Sequence, residues 1–470
     1  MKTLEEIFVP ENTPDKIIGI LSSQVKVPPK WGELEKDFDP SKHSIVTDRT
    51  RRPKVKIKNG QKEVPARLVY PAEMIAARRM NQMAFSIPVK RKFSVPANDT
   101  EKAFQRGINL VYDKVRIDGV NVKRFYAFFA ACEIATFWYT VDGEETDRYG
   151  FSSTKKIRCR SFSPMPTKFS KITQADLYPY FDDDDDLVVM SVRYKDADSV
   201  EHFDAYTAEK VYYYTKTDND WAVEEIDNPL GKIPAGYLPR PLPVSYGISG
   251  NREDIEFTLS RDSDILGKNS SPIMKVKGKV IGEMPVGDTA RQVYQLENGG
   301  DLDLVSPALT TNDAKTHIGM LKEINQEITQ LPDLSLENIK GLGVQSGEAR
   351  KTLLTDPHMK VREESHDITE FLDREFEIIK AILCHENKEW VPYQHTTTCE
   401  FIITPFIQND RSSDINDLTK ASGGPIMSQK TAVELADLVD DSEAEVAQMD
   451  KEAAATAERN RMTDVFTGAE

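Results

Sequence analysis

Apolar residues recur at helical spacing on both sides of a polar loop in the second half of the chain. Ile318, Leu321, Ile324, Ile328 and Leu331 fall three or four residues apart, forming one stripe of a helix. Asn312 is a good N-cap for that helix and Pro332 ends it. The loop Pro332–Gln345 follows, and Ser346 is suited to cap a second helical run. That run carries Leu353, Leu354, Val361, Ile368, Phe371, Leu372, Phe376, Ile379, Ile382 and Leu383, which predicts a long helix over 347–383. Pro357 lies inside it and removes one backbone hydrogen bond, so a bend is predicted there.

The first half alternates between the two periods. Helices are predicted at 14–23, at 71–87 ending before Pro88, and over 101–132 with a break at Asp118-Gly119. From Glu133 the residues become strand formers, with a hairpin turn at Asp142-Gly143 and further strands at 187–194, 202–206 and 210–216. A Pro-rich linker (Pro239, Pro241, Pro243) marks a boundary near 245. A helix over 251–268 and the helix at 311–330 then bracket short β segments at 272–305. After the long helix come a strand opening at Cys399 and two helices, from Ser428 and from Asp441 to about Arg461. The fold class read from these elements is α+β.

Charge changes the picture in two places. The net charge is −16, and residues 410–470 hold 14 Asp/Glu against 6 Lys/Arg, half of that total. A surface built to grip nucleic acid needs clustered Lys and Arg, so the balance argues against one. Residues 49–62 are the exception, with Arg49, Arg51, Arg52, Lys54, Lys56, Lys58 and Lys62 and no acid. The alternation of Lys54, Lys56 and Lys58 with Val55 and Ile57 predicts a strand with one cationic face. It reads as a phosphate contact, a lysine-guarded edge strand, or a basic arm lying on an acidic neighbour.

The candidate chemistry is thin. Asp182–Asp186 is five aspartates in a row, but consecutive residues on an extended chain point to alternate sides. A solvated turn is preferred there to a cation site. Cys384, His385, His395 and Cys399 match no zinc module, because adjacent Cys384-His385 is poor tetrahedral spacing. Gly343–Gly347 has neither the Gly-Lys-Ser/Thr end of a phosphate loop nor the serine placement of a nucleophile elbow. His366 lies one turn from Arg362 and Glu370, as for a surface ion pair. No cofactor, metal or catalytic residue is expected. The four cysteines form no CxxC pair, the N-terminus has no signal-like apolar run, and Phe125–Tyr139 is too short to span a membrane. A soluble protein in a reducing, intracellular setting is the expectation.

The order of these pieces resembles the portal proteins of tailed bacteriophages. Tyr70-Pro-Ala-Glu-Met through Pro88 looks like the family's early wing helix. Phe203-Asp-Ala-Tyr-Thr through Pro234 resembles its wing hairpins, and Ser249–Leu266 its first stem helix. Pro332-Asp-Leu-Ser through Ser346-Gly-Glu-Ala-Arg-Lys-Thr-Leu-Leu is similar to the tunnel loop and kinked helix. The tail, Gly424-Pro-Ile-Met-Ser-Gln-Lys-Thr and Asp440-Asp-Ser-Glu-Ala-Glu, is similar too. The resemblance implies a wing (1–248 and 384–408), stem helices (249–270 and 311–330) and a β-rich clip (271–310). It further implies a tunnel loop (331–346), a kinked helix (347–383) and a helical crown (409–470). In relatives the bend often falls at glycine; here it is placed at Pro357.

The implied protein is a dodecameric ring at one capsid vertex of the virion, assembled in the host cytoplasm. Double-stranded DNA passes through it during packaging and ejection. The implied partners are the terminase large subunit, the major capsid and scaffolding proteins, and a head-tail adaptor; no membrane is involved. The loop residues Asn338, Lys340 and Gln345 are expected to touch phosphates weakly and without regard to sequence. The alternatives are another virion ring or connector, and a metal-dependent nuclease using Asp182–Asp186.

Overall fold

A computed structural model describes residues 3–53, 55–56, 62–170, 173–217, 220–269, 273–277, 280–281, 295–296, 299, 301–305, 311–332, 354–406, 418–420, 427–436 and 442–467. The chain divides into two compact units. One comprises Met1–Asp333 with Asp356–Phe406, and the other Leu334–Thr355 with Ile407–Glu470.

The main helices of the larger unit are α1 (Pro14–Ser22), α2 (Trp31–Phe38), α3 (Ala72–Phe85), α4 (Asp99–Val115), α5 (Ile117–Ala131), α6 (Ser249–Asn269), α7 (Thr311–Thr329) and α8 (Thr355–Glu386). Pro14 opens α1 at its first position, where no N–H is missed. Asn98 caps α4 by accepting the Glu101 N–H at 2.9 Å. The break between α4 and α5 falls at Arg116, in the left-handed region with φ 54°, and not at Asp118-Gly119. Those two residues lie in the first turn of α5, where an acidic side chain suits the helix dipole.

The strands begin with β1 (Val55–Lys56), β2 (Lys62–Glu63) and β3 (Lys90–Phe93). Next come β4 (Glu133–Asp147), β5 (Ser152–Ser163), β6 (Thr173–Gln174), β7 (Asp176–Phe181), β8 (Leu187–Lys195) and β9 (Glu201–Tyr206). The body is completed by β10 (Lys210–Lys216), β11 (Trp221–Asp227) and β12 (Ala235–Pro239). One sheet runs β11-β10-β9-β8-β7 and the other β12-β4-β5-β6. The expected turn at Asp142-Gly143 is instead a shift in the β4–β5 register, and the chain reverses at 148–151 through Gly150, φ +85°. The bare Gly143 backbone leaves room for the Lys156 side chain; a Cβ there would lie 2.2 Å from Lys156 Cε. The expected strand over 49–62 is described only as β1 paired antiparallel with β2.

Strand period two puts β4 in two cores at once. Ile134 and Trp138 point into a large core with α3, α4, α5 and α8. Ala135 and Phe137 point between the sheets, where Phe137 meets Phe162 edge-on with ring centroids 5.6 Å apart. A third core lies on the outer face of the five-stranded sheet. There Ile17, Ile18 and Leu21 of α1 cover Phe203, Tyr214 and Trp221, and Trp221 Nε1 donates to Asp15 Oδ1 at 3.0 Å.

The long helix α8 buries the stripe Val361, Ile368, Phe371, Leu372, Phe376, Ile379, Ile382 and Leu383. It continues past Leu383 to Glu386. After a short 3-10 turn, β17 (Cys399–Ile402) pairs with β3, returning the chain to its N-terminal half. Glu375 sits in the middle of the buried face. Its carboxylate accepts two hydrogen bonds from Arg124, at 2.6 and 2.7 Å, and one from Trp138 Nε1 at 3.0 Å. Thr136 Oγ1 accepts another from Arg124 at 3.0 Å. Gly236 of β12 lies against the same helix; a Cβ would stand 2.9 Å from the Phe371 ring.

In the smaller unit the described helices are α9 (Gln429–Ala436) and α10 (Ser442–Thr467), which pack on each other. Ser428 Oγ accepts the Thr431 N–H at 3.2 Å, capping α9 as its position predicts. The described side chains of α10 are mostly exposed.

Replacing Glu375 with alanine strands a buried guanidinium. The expected loss is about 3–5 kcal/mol, and the double change Arg124→Met with Glu375→Leu should recover part of it. Equilibrium denaturation of the three proteins checks both expectations.

Candidate functional site

The residues expected to act, Asn338, Lys340 and Gln345, lie outside the described residues, as does the upstream part of the expected kinked helix, 347–353. The structure does describe the two roots of that segment. The chain leaves α7 through Gln330, whose φ of 55° is the left-handed geometry that ends a helix. Leu331 then plugs into the large core at 2% exposure. On the returning side, Pro357 is buried in the first turn of α8 as described, where its missing N–H has no intrahelical partner to lose. A bend at Pro357 would depend on the chain before it, beyond the described residues.

One turn further, Lys360 spans the two roots. Its Nζ donates to the Thr329 carbonyl at 2.6 Å, giving the last turn of α7 the cationic partner that a helix C-terminus favours. Burial holds this ammonium below the ordinary lysine range; Arg240 adds to the effect and Glu364 opposes it. Arg240 is itself bonded to Glu364 at 2.5 Å.

Helices α6 and α7 run antiparallel side by side. Asn251 Nδ2 donates to Asn325 Oδ1 at 2.9 Å, and Asp254 meets His317 Nε2 at 2.8 Å. Between the end of α6 and the start of α7 the chain forms two small antiparallel ladders. One pairs β13 (Ile273–Lys277) with β16 (Asp301–Val305), the other β14 (Val280–Ile281) with β15 (Gln295–Leu296). The bracketed β module expected from the sequence is present in these strands.

Residues 43–52 and 64–70 form an arm that lies along α6. The backbone N–H groups of Ala66, Leu68 and Tyr70 donate to Asp264 Oδ1, Ser260 Oγ and Glu256 Oε1, at 2.9, 2.8 and 2.9 Å. Every second residue of an extended chain thus meets every fourth residue of a helix. This arrangement gives the arm's donors the acceptors that a sheet would otherwise supply. Arg51 bonds Glu253 at 2.8 Å and Arg52 bonds Asp264. Of the three readings of the basic stretch, these two arginines follow the arm on an acidic neighbour. The side chains of 54–63 lie outside the description.

Beneath the arm is a buried charged cluster. Arg252 Nε donates to Glu73 at 2.9 Å and its other arm to Asp37 at 2.6 Å. Burial pushes the Glu73 carboxyl up to about 7, against the pull of Arg252. The local sequence does not mark Arg252, Glu73 or Arg124 as paired, because Arg252 and Glu73 lie 179 residues apart and Arg124 and Glu375 lie 251 apart.

The aspartate run forms the turn between β7 and β8. Asp182 Oδ1 accepts the N–H groups of Asp184 and Asp186, at 3.0 and 2.9 Å. Among the described residues, no group of three or more His, Cys, Asp or Glu side chains is placed to hold a metal ion. Among them too, no helix is long and apolar enough to cross a membrane.

Because the folded Glu73 carboxyl titrates above its unfolded value, its contribution to stability is present below about pH 4.5 and is lost as pH rises through about 7. Glu73→Gln should flatten the stability profile across that window, as read from denaturation midpoints at stepped pH.

The family model described as phage portal protein, SPP1 Gp6-like, matches residues 34–459. No curated protein matches the chain.

Proposed function

Because this chain belongs to the phage portal protein family, we propose that it forms the dodecameric ring at one capsid vertex through which double-stranded DNA is packaged and ejected. In this reading the two sheets with α3–α5 and β17 are the wing, α6 and α7 the stem, and the ladders between them the clip. The segment from Pro332 to Ser346 is the tunnel loop, and the C-terminal helices are the crown. The observation that carries the reading is the antiparallel pair α6/α7. It holds a small β module between its helices, and one end of α7 is fixed to α8 by Lys360.

A portal needs no chemistry of its own. Force comes from the terminase large subunit docked on the ring, and the ring also meets the major capsid protein, scaffold and a head-tail adaptor. DNA presents a dense line of phosphates, and a wall coated in lysine would hold it. An acidic or balanced wall lets it slide. Asn338, Lys340 and Gln345 are proposed as the weak, sequence-blind contacts. The roots of the loop supply the rigid footing that such contacts require. The protein assembles in the host cytoplasm and resides in the virion.

Electron microscopy of the purified protein should show rings of about twelve copies with an open centre. Deleting 335–343 should leave the rings intact and abolish DNA packaging. Packaging at normal yield by rings lacking the loop would overturn the role given to those residues. A compact closed dimer would overturn the ring itself.

A further inference from the structure

His43 lies where the arm meets α6, with no exposed surface. Its Nδ1 is 2.5 Å from Glu256 Oε1, and its Nε2 is 2.8 Å from the backbone carbonyl oxygen of Asp37. An ionised carboxylate and a carbonyl only accept hydrogen bonds, whereas a neutral imidazole has a single N–H to give. The same Oε1 also accepts the Tyr70 N–H. A neutral ring facing an ionised Glu256 would therefore leave one nitrogen lone pair pointed at an acceptor, inside the protein. We infer that His43 and Glu256 hold one bridging proton, and that this proton latches the arm to the first long helix of the α6/α7 pair.

Whether the proton rests on the ring or on the carboxyl, the pair is then neutral overall. The groups facing it complete the balance. Arg252 of α6 lies 3.7 Å from Glu256 Oε2 and also bonds Glu73 of α3 and Asp37 of α2. Glu253, next in sequence to Arg252, is matched by Arg51. With the bridging proton present, the His43–Glu256 pair is neutral and Arg252 faces two further carboxyl groups, Glu73 and Asp37. Without it, two lone pairs face each other across 2.5 Å in a site that water does not screen. The arm's backbone bond from Tyr70 to Glu256 shares that oxygen, so loss of the proton loosens the arm directly. The latch is closed while the pair holds the bridging proton and opens when it is lost.

The test uses the full-length protein. Amide hydrogen exchange, corrected for the intrinsic rate at each pH, is followed at Ala66, Leu68 and Tyr70 between about pH 7 and about pH 9.5, a range that lies above the ordinary histidine value. Protection in the wild type should fall about tenfold or more across this range. Glu256→Gln has no shared proton to lose, so its protection at Ala66 and Leu68 should be flat with pH, while Tyr70 loses its acceptor because the amide nitrogen facing His43 cannot accept its N–H; Glu73 is common to both proteins. Isotope-labelled histidine in the wild type gives a reading that needs no variant. At about pH 7, NMR should show either both His43 nitrogens protonated or a strongly downfield proton shared with the carboxyl. A neutral ring with no bridging proton, or arm protection independent of pH, would overturn the latch.

Discussion

The long helix α8 is joined to the body through a charge that could not be left alone. Glu375 is almost wholly buried, and burying an isolated carboxylate costs several kcal/mol. Its two oxygens are met by the fork of Arg124 and by the Trp138 indole, which brings α5, β4 and α8 to one point. Apolar packing alone tolerates sliding and rotation of a helix on its core, because dispersion has little directionality. A bidentate pair with a third donor does not. The position of α8 then sets where Lys360 stands, and Lys360 sets where α7 ends. A single buried anion thus fixes the frame from which the segment 333–353 departs and to which it returns.

The same economy appears at the arm, where helix α6 supplies the acceptors. Glu256, Ser260 and Asp264 share one face of α6 at steps of four, while Asn251 and Asp254 face α7. The α6/α7 pair is therefore one layer of a larger assembly in which residues 66–70 take the place of a third element. This accounts for an extended segment that belongs to no sheet yet keeps its alternate N–H groups satisfied.

Much of this was legible in the apolar periods. The stripe of α8, the pair α6 and α7, the break before α5 to within two residues and the strands from 187 to 216 all follow from spacing alone. Several strands were not legible, among them the short β3 and β6. β7 contains Pro179 and ends just before the aspartate run, β11 carries three acidic residues in seven, and β12 is short with Gly236 inside it. Their pairing is a tertiary effect, since each lies against a neighbour that covers what its own sequence does not advertise. The Asp142-Gly143 pair signals a turn in isolation but sits where both flanking strands continue to pair. The buried ions were invisible for a simpler reason. Arginine and glutamate on a helix read as solvent-facing unless their partners, here 251 residues apart for Arg124 and Glu375, are known. Of the candidate site, sequence reading reached the bracketing helices by spacing, but not the lysine that joins the end of α7 to α8.

The docking of the arm on α6 has a built-in length limit. Two residues of extended chain advance about 6.6–6.8 Å, whereas four residues of helix advance about 6.0 Å. The two rulers act as a vernier and drift apart by roughly 0.7 Å at each contact, so three contacts accumulate about 1.4 Å. Acceptors of unequal reach, a glutamate, a serine and an aspartate, absorb that drift and keep all three distances between 2.8 and 2.9 Å. The register between arm and helix is consequently unique, because sliding the arm by one repeat would mismatch every acceptor's reach at once.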